Sequence, residues 1–444
     1  MTYSLSHRSA LALSQAIHEH KITAYELTQQ ALQRIENAQA LDCISQVLTK
    51  RALDQAARLD QLTQQGIRLS PLHGIGIIVK DSFDIAGEIT QAGTCYLQQT
   101  AYFDAQIVEQ LERLGLIVLA KAKMTELAFG LSGQNPIQGT PRNPCDTEPV
   151  APGGSSSGCA VAVQAGLALL AVGGDTGGSV RVPAAFNRIL GFKPSQAGLN
   201  AHGQVPLAQS LDSVGLMAKY PEDLCMLYRL LQPQAEVDTP QYQLTYLAER
   251  DFPEMLQPQL LQSWRHLITQ LNQNDAQLLA WQPPHNFNFH QLSDACSDII
   301  AYEAYQNYAH LAENPDIKMW SVVRERIQRG ADISQAYYEQ LLSKRDTCYA
   351  AFADALPNHQ LLLLPMSPIF APSLNPEDSS CYPVGAYSRP FNYLDVPACS
   401  FPIYPTQQGP AHAAQLVACR GQDVMLLAAV NQIMQTLSQT LVYE

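Results

Sequence analysis

Two clusters of glycine and serine stand close together in this chain. Gly153-Gly154-Ser155-Ser156-Ser157-Gly158 is followed by Gly173-Gly174-Asp175-Thr176-Gly177-Gly178-Ser179. A serine hydroxyl becomes a useful nucleophile only when a neighbouring base takes its proton. Glycine leaves the backbone free to take conformations closed to residues with a Cβ, so each cluster can present a hydroxyl from a tight turn. Between them Cys159 to Leu170 is apolar nearly all round, which predicts a buried helix. Two flexible turns bracketing one buried helix can aim Ser155 and Ser179 at a single point. Taken alone, GGSSSG could equally be a helix-capping linker.

The elements that must hold these turns follow a regular order. Gly76-Ile77-Ile78-Val79 is a β-branched run that would bury Lys80 at the end of an interior strand, with Asp81 pointing the other way. A buried lysine by itself more commonly snorkels or pairs with a carboxylate. Val108 to Leu114 reads as a helix ended by Gly115, Ile117 to Ala120 as a short buried strand, and Met124-Thr125-Glu126 as the turn after it. This succession indicates an α/β layer with helices on both faces of a sheet.

Residues 1–66 read as helices, with a capping box at Thr23 and Glu26. Residues 232–246 are polar, carry Pro233 and Pro240, and read as a surface connection. Leu361 to Pro365 and Ala413 to Arg420 read as further strands, Pro383 to Asn392 as a loop over a cleft, and Val424 to Leu437 as a terminal helix.

With these pieces in place, GGSSSG, GGDTGGSVRVPAAFN and GFKPS together resemble the signature region of the amidase signature family, serine hydrolases with a Ser-Ser-Lys triad. LHGIGIIVKDSFDIAG, VEQLERLGLIVLAKAKMTELAFG, SLDSVGLMAK and RPFNYLDVPACSFP are similar to other parts of that family, so the likeness weakens only between about Pro233 and Ala355. It implies Lys80 as base, Ser155 as the bridging serine preceded by a cis peptide, and Ser179 as nucleophile. It also implies an oxyanion hole from the backbone of Thr176, Gly177, Gly178 and Ser179. A lysine serves as base only when neutral, which requires its pKa of about 10.4 to fall by about three units.

The implied fold is an α/β/α sandwich with a large mixed, mostly parallel central sheet covered by helices on both faces. It forms one domain, 1–444, with N-terminal helices (1–66), a catalytic core (67–230), a variable helical region lining the cleft (231–355) and the C-terminal part of the core (356–444). The resemblance implies hydrolysis of a small carboxamide to carboxylate and amine through an acyl-enzyme. The alternatives are the glutaminase-type subunit of a tRNA-dependent amidotransferase, against which RVPAAFN after Ser179 weighs, and a hydrolase of urea-derived acids such as allophanate. Candidate substrate contacts are Met124, Tyr96, Arg326 and Arg389. Arg326 sits with Arg324 and Arg329 in VVRERIQRG, a run that could also be a solvated helix face. Asp175 and Arg181 are expected to be structural, positioning the loop through hydrogen bonds or an ion pair.

Composition limits the partners. A net charge of −13 argues against nonspecific nucleic-acid or anionic-membrane binding, and no run approaches the roughly 20 apolar residues of a membrane span. The first residues, MTYSLSHRSALALSQAIHEHK, read as an amphipathic helix and not as a signal peptide. Ten scattered cysteines form neither CxxC nor Cys/His clusters, so reduced thiols in a cytoplasmic protein are expected, with Cys159 a packing residue. His285 and His290 lack carboxylate or cysteine neighbours at ligand spacing, so no metal is expected, and no cofactor either. The expected partner is a small amide substrate, and a homodimer is compatible with the sequence.

Overall fold

The computed structural model describes residues 8–233, 241–273, 278–285, 287–357, 359–374, 382–403 and 411–440. Eleven strands form one sheet: β1 Ile44–Val47, β2 Gly76–Lys80, β3 Ile117–Ala122, β4 Leu170–Gly174, β5 Leu190–Lys193, β6 Val214–Ala218, β7 Gln243–Tyr246, β8 Leu279–Ala280, β9 Gln360–Pro365, β10 Ala398–Pro402 and β11 Ala413–Val417. Their order is β1-β3-β2-β4-β6-β5-β10-β11-β9-β7-β8. The central strands are continuous apolar runs buried on both sides, as a sheet covered on two faces requires. Alternation along β5 shows the two layers. An added Cβ at Gly191 would meet Ala184 of the helix Arg181–Phe186, 2.5 Å away, whereas Phe192 packs edge-on against Tyr228 of the helix Pro221–Leu231 at 5.0 Å.

The sheet is mixed, but not mostly parallel. Parallel pairing joins β2 to β3, β2 to β4, β7 to β9 and β7 to β8, while β1–β3, β4–β6, β5–β6, β5–β10, β10–β11 and β9–β11 run antiparallel. For β5 and β6 the connection gives the reason: no α-helix lies between them, and a parallel pair needs a crossover.

Other expectations change locally. The helix after the first glycine cluster is Ser157–Gln164, not Cys159 to Leu170, because Gly166 at φ +70° closes it and Leu170 opens β4. Gly173 and Gly174 belong to that strand instead of the following turn. Within 1–66, Ile44–Val47 forms the edge strand, and Gly385–Tyr393 is a helix where the sequence suggests a loop. Of the connection 232–246, residues 234–240 lie outside the described residues and Gln243–Tyr246 is β7. The capping box at Thr23 and Glu26 is present in both directions. Among the described residues no helix is long and apolar enough to cross a membrane.

Candidate active site

The parallel neighbours β2 and β4 end on the same side of the sheet, and the site is built there, as in other open α/β sheets. Lys80 is the last residue of β2 and is 1% exposed. Its Nζ lies 2.7 Å from Ser155 Oγ and 3.4 Å from the carbonyl of Gly174. Burial, which disfavours the ammonium form, lowers its pKa to about 8, although Asp212 and Asp175 pull the other way. Alternation sends Asp81 in the opposite direction, where its carboxylate is ion-paired with Lys121 at 2.8 Å.

Ser155 follows a cis Gly154–Ser155 peptide and is completely buried. Its carbonyl accepts the Thr125 amide at 3.1 Å, and the next amide, of Ser156, donates to the Ser179 carbonyl at 3.1 Å. The two serine turns are thereby stitched together. Gly154 permits the fit: a Cβ there would lie 2.6 Å from the Gly133 amide nitrogen and 2.7 Å from Thr125 Oγ1.

The turn carrying Ser179 is wrapped around one carboxylate. Asp175 accepts the amides of Gly178 at 2.8 Å and Val180 at 3.0 Å, and Arg181 grips it with Nε at 3.1 Å and Nη2 at 3.0 Å. Asn392 adds a bond at 2.8 Å from the helix Gly385–Tyr393. Burial would push the Asp175 carboxyl up, but the Arg181 charge and these bonds hold it well below the usual carboxylate range. Of the two expected arrangements both occur: Asp175 pairs with Arg181 and accepts hydrogen bonds from the amides of the turn. The Gly178 amide, expected in an oxyanion hole, is spent on Asp175. Among the described residues, the amides of Thr176, Gly177 and Ser179 donate to no protein acceptor.

Thr176, Gly177 and Ser179 form one wall of a cleft that opens to solvent. Phe129, Leu131, Ile300 and Trp320 supply its apolar surface, and Ser297, Asp294, Arg326, Arg329 and Arg389 its polar one. Of the four candidate substrate contacts, Arg326 and Arg389 line this cleft and the other two do not. Met124 is fully buried in the core, where its carbonyl accepts from Asn135 at 2.8 Å. Tyr96 lies beside Glu126 and does not line the cleft. Arg324 is turned away as well: it clips the carbonyls of Ala312, Asn314 and Ile317. Cys159 is buried with its thiol pushed up to about 12, as suits a packing residue. His285 and His290 are exposed, and no cluster of three metal-donor side chains occurs among the described residues.

Two residues of the site escape a reading of the sequence. Asp212 accepts the Thr176 hydroxyl at 2.5 Å and the amides of Leu207 and Ala208, and burial raises its pKa to about 6. Glu126 is a buried carboxylate tied to Trp320. Both lie inside stretches with a family likeness, SLDSVGLMAK and MTELAFG, yet nothing local marks an acidic residue whose partner is far away in the chain.

Comparison with known proteins agrees with this arrangement. A family model described as Amidase matches residues 26–427. A glutamyl-tRNA(Gln) amidotransferase subunit of Symbiobacterium thermophilum is 40% identical over 226 residues, 50% of this chain and 46% of that one, so the aligned stretch spans about half of that relative's length. The protein of the same description from Coxiella burnetii is 31% identical with 97% of each chain covered. A solved structure described as an amidase superposes with a TM-score of 0.89 at 27% identity, covering 96% of this chain and 99% of its own. The chain belongs to the amidase signature family, hydrolases that act on amide C–N bonds.

Proposed function

We propose that this chain hydrolyses a small carboxamide through an acyl-enzyme on Ser179. The observation that carries this reading is the 2.7 Å approach of a fully buried, pKa-lowered Lys80 to Ser155, whose turn is bonded directly to that of Ser179. In the mechanism, Ser179 Oγ attacks the carbonyl carbon while its proton passes to Ser155 and the Ser155 proton to Lys80 Nζ. The carbonyl oxygen gains the negative charge and is met by the amides of Thr176, Gly177 and Ser179. Return of the proton along the same relay to the leaving nitrogen breaks the C–N bond and frees the amine. A water molecule then repeats the sequence on the ester and releases the carboxylate.

Arg326 and Arg389 supply positive charge to the cleft, which supports a substrate bearing an anionic group away from the scissile amide. A second reading is favoured by the relatives' description as amidotransferase subunits: the released ammonia would then pass to a partner protein.

One experiment separates the readings. Purified chain, with neither partner nor ATP, is given aliphatic, aromatic, urea-derived and carboxylate-bearing amides, and liberated ammonia is measured. Full turnover of one class, lost at least a thousandfold in Ser179→Ala, is expected for the stand-alone amidase. Turnover that emerges only with an added partner supports the amidotransferase reading. Undiminished turnover by Ser179→Ala refutes the nucleophile in either case.

A further inference from the structure

Glu126 takes no part in the proposed proton relay, yet it is a carboxylate with zero exposure, two residues before the cleft residue Ala128. Its Oε2 accepts the backbone amide of Trp320 at 2.9 Å, and the Tyr96 phenol lies beside the carboxylate. Trp320 is a cleft residue, and it is also the N-cap of the helix Ser321–Gln328 that carries Arg326. Three residues beyond Glu126, the Phe129 carbonyl accepts Arg326 Nη1 at 2.6 Å. The segment 126–129 therefore grips the start and the charged face of one helix at two points. Trp320 makes no side-chain cap hydrogen bond, and Glu126 satisfies its backbone amide at this helix N-terminus.

We propose that Glu126 is a positioning residue that anchors the Trp320–Arg326 wall of the cleft and so sets affinity for an anionic amide without touching the reacting atoms. The proposal rests on the reading of this cleft as the substrate site. A buried carboxylate holds the Trp320 amide more tightly when ionised, because a charge-assisted hydrogen bond is stronger than a neutral one. The groups that act on it are the Trp320 amide, the Tyr96 phenol and the Arg324 guanidinium. All three favour the ionised form, but burial outweighs them and raises its pKa to about 7. The anchor thus tightens as the pH rises through neutrality, and KM for a carboxylate-bearing amide falls over the same interval.

Two readouts test this. KM and kcat are measured between pH 6 and 8.5 for a carboxylate-bearing and a neutral amide with the wild type, Glu126→Gln and Glu126→Ala. In parallel, acrylamide quenching of tryptophan fluorescence is followed without substrate. Trp264 and Trp281 are each 2% exposed, so the half-buried Trp320 dominates the quenching. Glu126→Ala is expected to raise KM for the anionic amide about tenfold with kcat little changed, and to raise quenching at every pH. Glu126→Gln, which keeps an acceptor oxygen, should restore most of the affinity while abolishing the pH step in both KM and quenching. A pH step that persists in Glu126→Gln overturns the proposal, as does an Ala variant with unchanged KM and quenching. If the Ala variant does not fold, the Gln variant decides alone. If the wild type turns over no amide, the proposed function fails, while the quenching step still tests the anchor.

Discussion

If Lys80 is the base, only its neutral form is active, and the pH profile must report its titration. Lowering the pKa from an ordinary 10.5 to about 8 raises the neutral fraction at pH 7 by roughly 300-fold, from a few molecules in ten thousand to about one in ten. The expected kcat/KM therefore climbs about tenfold from pH 6 to pH 7 and levels off above about 8. The same group leaves a mark on stability. Between pH 8 and 10.5 the unfolded chain holds a proton on this amine that the folded chain has lost, so folding stability gains as the pH rises across that window. Below it, the folded protein bears the cost of a buried ammonium, about 3 kcal/mol. Lys80→Met, inactive but free of that cost, should be the more stable protein at pH 7 and lose this advantage by pH 10.5. Ammonia release against pH gives the first curve, and urea unfolding of both proteins at matched pH gives the second. A profile whose acid limb lies well below 7, or a Lys80→Met variant whose stability difference from wild type ignores pH, would refute the assignment.

Two other consequences are independent of that titration. Asp175→Asn leaves the buried Arg181 charge without its carboxylate, so urea unfolding should show a loss of about 3 kcal/mol or more; a loss below about 1 kcal/mol would mean that the clamp is not what holds the nucleophile turn. Arg389→Met should raise KM for carboxylate-bearing amides about tenfold and leave neutral amides unchanged, since Arg389 lines the cleft beside Gly177. An equal effect on both substrate types would assign Arg389 to structure.

What can be read from the sequence is whatever is decided within a few residues of its own position. The burial of Lys80 follows from Gly76-Ile77-Ile78-Val79, the opposite aim of Asp81 from strand alternation, and the capping box from the three-residue spacing of Thr23 and Glu26. Glycine misleads where its reason is a neighbour and not a turn. Gly173 and Gly174 look like flexible loop, yet they lie in β4, where a Cβ on the first would come 2.6 Å from Ser156 Oγ and on the second 2.5 Å from Gln204 Nε2. They are small because the first serine turn and residue 204 pack directly on the strand. That contact is invisible in a sequence window, as is the choice between parallel and antiparallel neighbours where a connection lacks a helix.

The buried charges show where this limit bears on function. Lys80, Asp175, Asp212 and Glu126 are all buried, and each is stabilised or perturbed by groups distant in sequence: Ser155 for Lys80, Asn392 for Asp175, Thr176 for Asp212 and Trp320 for Glu126. A carboxylate at 126 or 212 reads as a solvated loop residue until its surroundings are known, because desolvation is a property of the packed site. The three residues of the proposed relay can be picked out by motif, since they sit in stretches with a strong local character. The residues that tune it cannot. The turn of Ser179 is held on one side by Asp175 and on the other by Asp212 through Thr176, so its conformation depends on two carboxylates shifted in opposite directions: one held well below the usual carboxylate range by Arg181, the other raised to about 6 by burial. Any change that moves either carboxylate shifts the amides of Thr176 and Gly177 relative to Ser179, so on the proposed mechanism activity is lost with Lys80, Ser155 and Ser179 all intact.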